Sequence, residues 1–238
     1  MTERLRLFPL NTVLFPGAVL NLHVFEPRYR QMIAECLEDG EAFGVCLIRE
    51  GDEAGDPEVM PHEIGTTASI SAMHPLEGGR FYIGAIGGRR FRIARVLERE
   101  PYLSAEVEYF GDEPVDDTSA ADGTLANIRE IFAEYLRLLV EFAGTQMDAT
   151  LPEDPVEASY LIADALQIAD AMKQRLLEME STEQRLSVEL EFLRRLLPQL
   201  RALLERKRDV PQSERAHKPG GTLRADQEKF FGKHFSLN

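Results

Sequence analysis

The sequence predicts an α+β protein, with a small β-barrel or sandwich and one short helix in its N-terminal half and a helical bundle ending in a long helix in its C-terminal half. Short apolar runs separated by glycine and proline fill residues 1–111, which is typical of short strands. Beyond them, apolar residues recur every three or four positions, as they do on helices. We therefore expect a β-rich subdomain at 1–111, a helical subdomain at 112–208 and a flexible tail at 209–238.

The first elements are two extended runs and a helix. Residues 4–8 alternate polar and apolar side chains, and residues 18–25 form an apolar run after a Pro-Gly turn. Pro27 suits the first turn of a helix, because the N–H that proline lacks would have no partner there. Gly40 is a natural C-terminal stop. We expect one short amphipathic helix between these two residues.

Further strand patterns follow this helix. Gly87 and Gly88 separate two of them, and paired glycines supply the positive φ angles that a two-residue hairpin requires. We therefore expect a tight hairpin at this point. The predicted strands cover residues 43–48, 63–73, 80–86, 89–97 and 102–110.

The C-terminal half carries signals for four helices. Apolar residues between Leu125 and Phe142 share one helical stripe. Asp154 before a proline is typical of a helix N-terminus. A short third helix is predicted at 173–179, and Ser181 begins a capping box for a long fourth helix.

The last helix carries six leucines with 4-3-4-3-4 spacing, which indicates packing against a partner helix. Packing within the chain is the favoured interpretation, and a homodimer through this helix is the alternative. Pro198 removes a backbone donor and is expected to kink or end the helix. The leucines are Leu186, Leu190, Leu193, Leu197, Leu200 and Leu204.

Charge and cysteine content narrow the class of protein. The net charge is −14, which disfavours nucleic-acid partners. Cys36 and Cys46 lie in apolar runs without CxxC spacing, so we expect buried, reduced thiols. The sequence shows neither a signal peptide nor an apolar run long enough to span a membrane, so a cytoplasmic location is expected.

The sequence offers no catalytic or cofactor motif. GxxxxGK[ST], GxGxxG and GxSxG are absent from it. The five histidines lack HxxxH and HxH spacing, which disfavours a metal site. We therefore expect a non-catalytic protein without cofactor or metal, and an enzyme acting on a small molecule has no motif in its support.

Two clusters in the N-terminal half are candidate binding residues. Arg89 and Arg90 follow the glycine pair and could hold a carboxylate or RNA, although exposed arginines on a hairpin are the simpler interpretation. Glu26, Arg28 and Tyr29 could form a site or a polar clasp at the strand-to-helix joint, where an acid near a helix N-terminus is favoured.

The terminal segment KFFGKHFSLN is aromatic and basic, unlike the polar residues before it. Phe230, Phe231 and Phe235 are therefore a candidate docking motif on a flexible tether. Folding of these aromatic residues back onto the body of the protein is the alternative.

Several segments together resemble the N-terminal, substrate-binding domain of the Lon proteases over residues 5–205. They are FPLNTVLFPGAVLNLHVFEPRYRQMI, FGVCLIRE, IGTTASI and IGGRRFRI, followed by LIADAL and KQRLLEMESTEQRL. The resemblance implies a PUA-like β-barrel followed by a helical bundle. It also implies recognition of unfolded or tagged protein segments, as an adaptor or regulator in bacterial protein quality control, with a protease or chaperone as partner.

Two considerations bound this expectation. The Walker and serine–lysine motifs of the family are missing from the sequence, so the resemblance implies a recognition function but not ATP-driven proteolysis. RNA binding is the alternative function, because PUA-like barrels of other families bind RNA, although the charge of −14 disfavours it.

Overall fold

The structure is a computed structural model that describes residues 2–51, 58–114, 120–143 and 150–209. The chain divides into two compact units. The first comprises Met1–Glu113 with Asp170–Glu180, and the second comprises Pro114–Ala169 with Ser181–Asn238. The segment Asp170–Glu180, which the sequence places in a helical subdomain at 112–208, thus groups with the strands.

The described residues form seven strands and five α-helices. The first unit holds the strands together with helices α1 and α4. The strands are β1 (Glu3–Leu10), β2 (Val19–Val24), β3 (Phe43–Glu50), β4 (Met60–Pro61), β5 (Ile64–Pro75), β6 (Phe81–Glu98) and β7 (Ser104–Phe110). The helices are α1 (Pro27–Asp39), α2 (Ala120–Ala143), α3 (Pro155–Ala165), α4 (Asp170–Glu178) and α5 (Thr182–Asp209).

The strands form one mixed sheet in the order β1-β7-β6-β5-β3-β4. Strand β2 pairs with β6 outside this path, and β1 also pairs with β3 in parallel. The α+β class predicted from the sequence is therefore confirmed. The small β-barrel that was expected is not formed as a true barrel, because β2 and β4 lie beside the main path of the mixed sheet.

The predicted hairpin at Gly87 and Gly88 is wrong. Strand β6 runs without interruption through both glycines, and neither has a positive φ angle. Their role is close approach: a Cβ on Gly87 would lie 2.1 Å from the carbonyl oxygen of Phe15, and one on Gly88 would lie 2.7 Å from Oγ1 of Thr67. The glycine pair therefore lets neighbouring segments pack directly on the strand backbone.

Replacing Gly87 with alanine is expected to lower the free energy of unfolding by about 2 kcal/mol, because the added methyl group meets a backbone oxygen that cannot rotate away. Gly84→Ala in the same strand is the matched control. A Cβ on Gly84 would meet no atom nearer than 3.5 Å. Alanine also restricts the unfolded chain more than glycine does, so this variant should be at least as stable as the parent. Urea unfolding followed by circular dichroism compares the two variants, and equal midpoints would contradict the packing role.

Helix α1 begins and ends where the sequence predicts. Pro27 occupies its first turn, and Gly40 ends it in the left-handed conformation with φ 68°. The helix packs its apolar face on the sheet, within a core that includes residues of β1, β2, β3, β5 and β6. The buried residues of this face are Tyr29, Met32, Ile33 and Cys36.

The second unit contains α2, α3 and α5, and their predicted signals are present. The carboxylate of Asp154 accepts a hydrogen bond from the N–H of Glu157 at 2.8 Å and caps α3. Pro198 lies inside α5, which continues to Asp209, so the proline does not end the helix. The six leucines of the stripe are buried within the chain, where α5 packs against α2 and α3.

Candidate functional site

Arg90, a candidate binding residue, is buried rather than exposed. Only 2% of its surface is accessible, and its guanidinium donates hydrogen bonds to the carbonyl oxygens of Leu177, Met179 and Gly111 at 2.8, 2.6 and 2.9 Å. Asp112 lies 3.4 Å from the same group. Arg90 therefore binds the backbone around the end of α4 to the sheet, and this arrangement corrects the expectation of alternating exposed arginines.

Arg89 lies on the surface, as the sequence predicts. Its guanidinium carbon lies 3.8 Å from the centre of the Tyr109 ring, in a cation–π contact. Its backbone N–H donates to Oγ1 of Thr67 at 2.9 Å. Although the two arginines are adjacent in sequence, they face different surroundings and do not form one charged patch.

Glu26, Arg28 and Tyr29 come together at the start of α1. Nε of Arg28 donates to Oε2 of Glu26 at 3.0 Å, and the guanidinium carbon lies 4.6 Å from the centre of the Tyr29 ring. The Tyr29 ring also stacks on Phe8, with ring centres 3.9 Å apart. The three residues thus lie in contact at the strand-to-helix joint, and we call them the polar clasp.

The clasp borders an apolar cleft of about 290 Å³. The cleft lies where the ends of β1 and β2 meet the start of α1, and we call it the β2 cleft. Phe25 lies at its rim with 51% of its surface exposed, and Glu26 supplies the carboxylate among its lining residues. The lining comprises Phe8, Leu10, Leu22, His23, Val24, Phe25, Glu26 and Tyr29.

An uncharged surface extends from β2 across the neighbouring strands. Residues directly opposite in antiparallel strands project from the same side of a sheet. The register therefore places nine residues in three rows on this side, and we call them the outer face. None of the nine is Asp, Glu, Lys or Arg, in a chain with 29% charged residues. The rows are Val19–Ile86–Ser69, Asn21–Gly84–Ala72 and His23–Tyr82–His74.

The outer face carries large exposed apolar groups. Val19, Tyr82 and Ile86 are 69%, 49% and 45% exposed. The ring of His23 lies between Tyr82 and Phe25, with ring centres 4.8 and 5.6 Å away. This cluster joins the outer face to the rim of the β2 cleft. Large apolar side chains exposed on one face of a sheet are a feature of interaction sites in proteins.

The reactive thiols outside the cleft are buried in the core. Cys36 and Cys46 are both buried, as predicted, and burial raises the pKa of the Cys36 thiol to about 11.

Within the described ranges, no three His, Cys, Asp or Glu side chains are grouped so as to hold a metal ion. Helices long and apolar enough to cross a membrane are also absent from those ranges. The candidate tail motif of Phe230, Phe231 and Phe235 lies outside the described residues.

Comparison of the fold with solved structures defines the class of protein. The structure is similar to the crystal structure of a Lon N-terminal domain protein from Xanthomonas campestris, with a TM-score of 0.61, 28% identity and coverage of 79% of this chain and 98% of that one. It also shares its fold with the N-terminal domain of a Mycobacterium avium complex Lon protease, at a TM-score of 0.60 and 17% identity over 80% of this chain and 98% of that one.

The chain belongs to the family of the ATP-dependent protease La (LON) substrate-binding domain, whose model matches residues 4–195. Its curated relatives include the Lon protease of Anaeromyxobacter dehalogenans, 26% identical over 80% of this chain, and the Lon protease of Flavobacterium johnsoniae, 28% identical over 89%. This chain spans about a quarter of the length of these relatives, 23% and 26% respectively. The family expected from the sequence is thereby confirmed.

Two of the candidate residues that the sequence predicts lie at the β2 cleft. Glu26 and Tyr29 were singled out as candidates, and both line the β2 cleft. The outer face was missed, because its rows depend on pairing between strands far apart in the chain. One local signal was present: the segment VLNLHV of β2 has no charged residue on either side of the strand, which is unusual for a strand with one face in solvent.

Proposed function

We propose that this chain is a non-catalytic recognition module that binds exposed apolar segments of unfolded or tagged proteins. The observation that carries the proposal is the β2 cleft, an apolar cavity with the half-exposed Phe25 at its rim and the outer face beside it. Such a surface can bury apolar side chains that an unfolded protein exposes and that a folded protein keeps in its own core. Membership of the Lon substrate-binding domain family supports the same function.

The proposed role is that of an adaptor or regulator in protein quality control in the cytoplasm, with a protease or chaperone as partner. A homodimer through the long helix α5 and docking through the tail motif are further proposals about its assembly. The RNA-binding alternative gains no support from the family or from the relatives named above.

Binding to an unfolded protein tests the proposal directly. Reduced, carboxymethylated α-lactalbumin stays unfolded in buffer, and its disulfide-intact form is the folded control. Fluorescence anisotropy should show saturable micromolar binding of the unfolded form and no binding of the folded one. Equal binding of both forms, or of neither, would overturn the proposed function.

Replacing Phe25 with serine is expected to weaken this binding about tenfold, because a large apolar contact surface at the rim of the cleft is lost. The same anisotropy titration measures the change. Leu37→Ser is the matched control, since Leu37 is 44% exposed on α1 and lies outside the lining of the cleft. Both variants should unfold at the parent midpoint. A similar loss in both would show that the cleft is not the binding surface.

A further inference from the structure

Within the described part of the chain, strand β2 has one partner, β6, and one open edge, since no second strand pairs with it. Edge strands are usually protected against pairing with other chains by charged residues, proline or bulges. The six residues of β2 include neither charge nor proline, and their register with β6 has no shift. The open edge therefore lacks the usual protection.

The hydrogen-bond pattern shows which groups this edge presents. The carbonyl oxygen of Ala18 accepts a bond from the N–H of Gly87 at 2.9 Å. Backbone groups of successive residues in a strand point alternately to its two sides. Residues 20, 22 and 24 therefore direct their backbone groups toward β6, whereas Val19, Asn21 and His23 direct theirs toward the open edge.

The side chains around this edge suit an uncharged partner. Val19, Asn21 and His23 belong to the outer face, which carries no formal charge. Leu22 and Val24 point to the other side of the strand and line the β2 cleft. An extended chain beside β2 would place alternate side chains on the outer face and toward the cleft, without removing any charge of β2 from water.

We propose that an extended, uncharged polypeptide segment binds by adding to β2 as a further strand. This inference rests on the proposed function and specifies how the bound segment is held. Hydrogen bonds to the backbone of Val19, Asn21 and His23 supply affinity without regard to side-chain identity, and the cleft accepts one apolar side chain. Recognition by this mode selects for an unfolded, extended conformation, because a folded chain has already paired its backbone groups.

Backbone methylation of a peptide ligand tests the hydrogen bonds. The probe is a short fluorescein-labelled peptide in which threonine alternates with valine around a central phenylalanine. Two isomers carry N-methyl groups either on the threonines or on the apolar residues. Since only one side of the added strand faces β2, one isomer should bind at least about tenfold more weakly than the parent peptide and the other should not. Which isomer fails reports whether the added strand is parallel or antiparallel.

A pair of protein variants tests the same bonds from the other side. Asn21→Pro removes an N–H that points to the open edge and leaves the bonds to β6 in place. Asn21→Ala removes the same side chain and keeps the N–H. The proline variant should bind the parent peptide about fivefold more weakly than the alanine variant. Thermal unfolding of the full chain checks that both are folded, and the peptide isomers provide the test if the proline variant is not.

The outcomes separate this inference from the proposed function. If the parent peptide binds and both methylated isomers bind equally well, or both fail, strand addition is overturned while recognition of apolar segments stands. If neither the parent peptide nor unfolded α-lactalbumin binds, the proposed function fails with it. Equal binding by the Asn21→Pro and Asn21→Ala variants, both folded, also overturns strand addition.

Discussion

Replacing Arg90 with methionine is expected to lower the free energy of unfolding of the first unit by about 3 kcal/mol, since three carbonyl oxygens, one in a buried and two in partly buried hydrogen bonds, lose their donor at a cost of about 1 kcal/mol each. Methionine fills much of the same volume, so the loss reports hydrogen bonding more than packing. The change should be largest around α4, because Leu177 and Met179 supply two of the three oxygens.

Arg92→Met is the control for this variant. Arg92 lies two residues further along β6 and makes an exposed ion pair with Glu180 at 3.3 Å. An exposed pair of this kind contributes about 0.5 kcal/mol or less. Urea unfolding by circular dichroism gives the free energies, and amide hydrogen exchange reports on Asp170–Glu178. Unchanged exchange in α4 of the Arg90 variant would contradict the role assigned to this arginine.

Arg90 also illustrates why the sequence predicted the elements better than their contacts. Its partners at Leu177 and Met179 are backbone oxygens 87 and 89 residues away, so no local pattern of side chains predicts these hydrogen bonds. The neighbouring residues do not predict these hydrogen bonds either, because three arginines close together in a sequence are typical of a charged surface cluster. A discontinuous unit, in which α4 returns to the sheet, could therefore not be read from local periodicity.

The glycine pair shows the same limit in a different form. Paired glycines favour a hairpin when only the local chain is considered, and they equally permit a close backbone neighbour. The approach of the Phe15 carbonyl oxygen to Gly87 decides between the two, and it is a tertiary contact. By contrast, Pro27, Gly40 and Asp154 act within one helical turn, and their predicted roles are confirmed.

The second large effect concerns a buried carboxyl group in the helical unit. Glu189 of α5 is fully buried, and Oγ of Ser159 donates to its Oε1 at 2.8 Å. Nε of Arg185 donates in turn to Oγ of Ser159 at 2.7 Å. Burial raises the pKa of Glu189 from 4.5 to about 8, against the opposing effects of the Ser159 hydrogen bond and the Arg185 charge.

This shift makes stability depend on pH with a defined sign. In the unfolded chain Glu189 releases its proton near its ordinary pKa of 4.5, whereas the folded chain keeps the proton up to about pH 8. Between these two pH values the unfolded state therefore binds fewer protons than the folded state. The contribution of Glu189 to folding stability is fully present below pH 4.5 and is lost as the pH rises toward 8. Above the higher pKa the contribution no longer changes.

Replacing Glu189 with glutamine is therefore expected to raise the free energy of unfolding by about 3 kcal/mol at pH 7, because glutamine remains neutral in both states and keeps an acceptor for Ser159. At pH 4.5 the same substitution should have little effect. Glu191→Gln, an exposed change in the same helix, controls for the loss of one negative charge. Urea unfolding at several pH values, followed by circular dichroism because the chain has no tryptophan, gives both curves. The parent and the Glu189 variant share every other titrating group, so the difference between them isolates Glu189. A difference that stays constant with pH would show that the Glu189 carboxyl group ionises in the folded chain at its ordinary pKa.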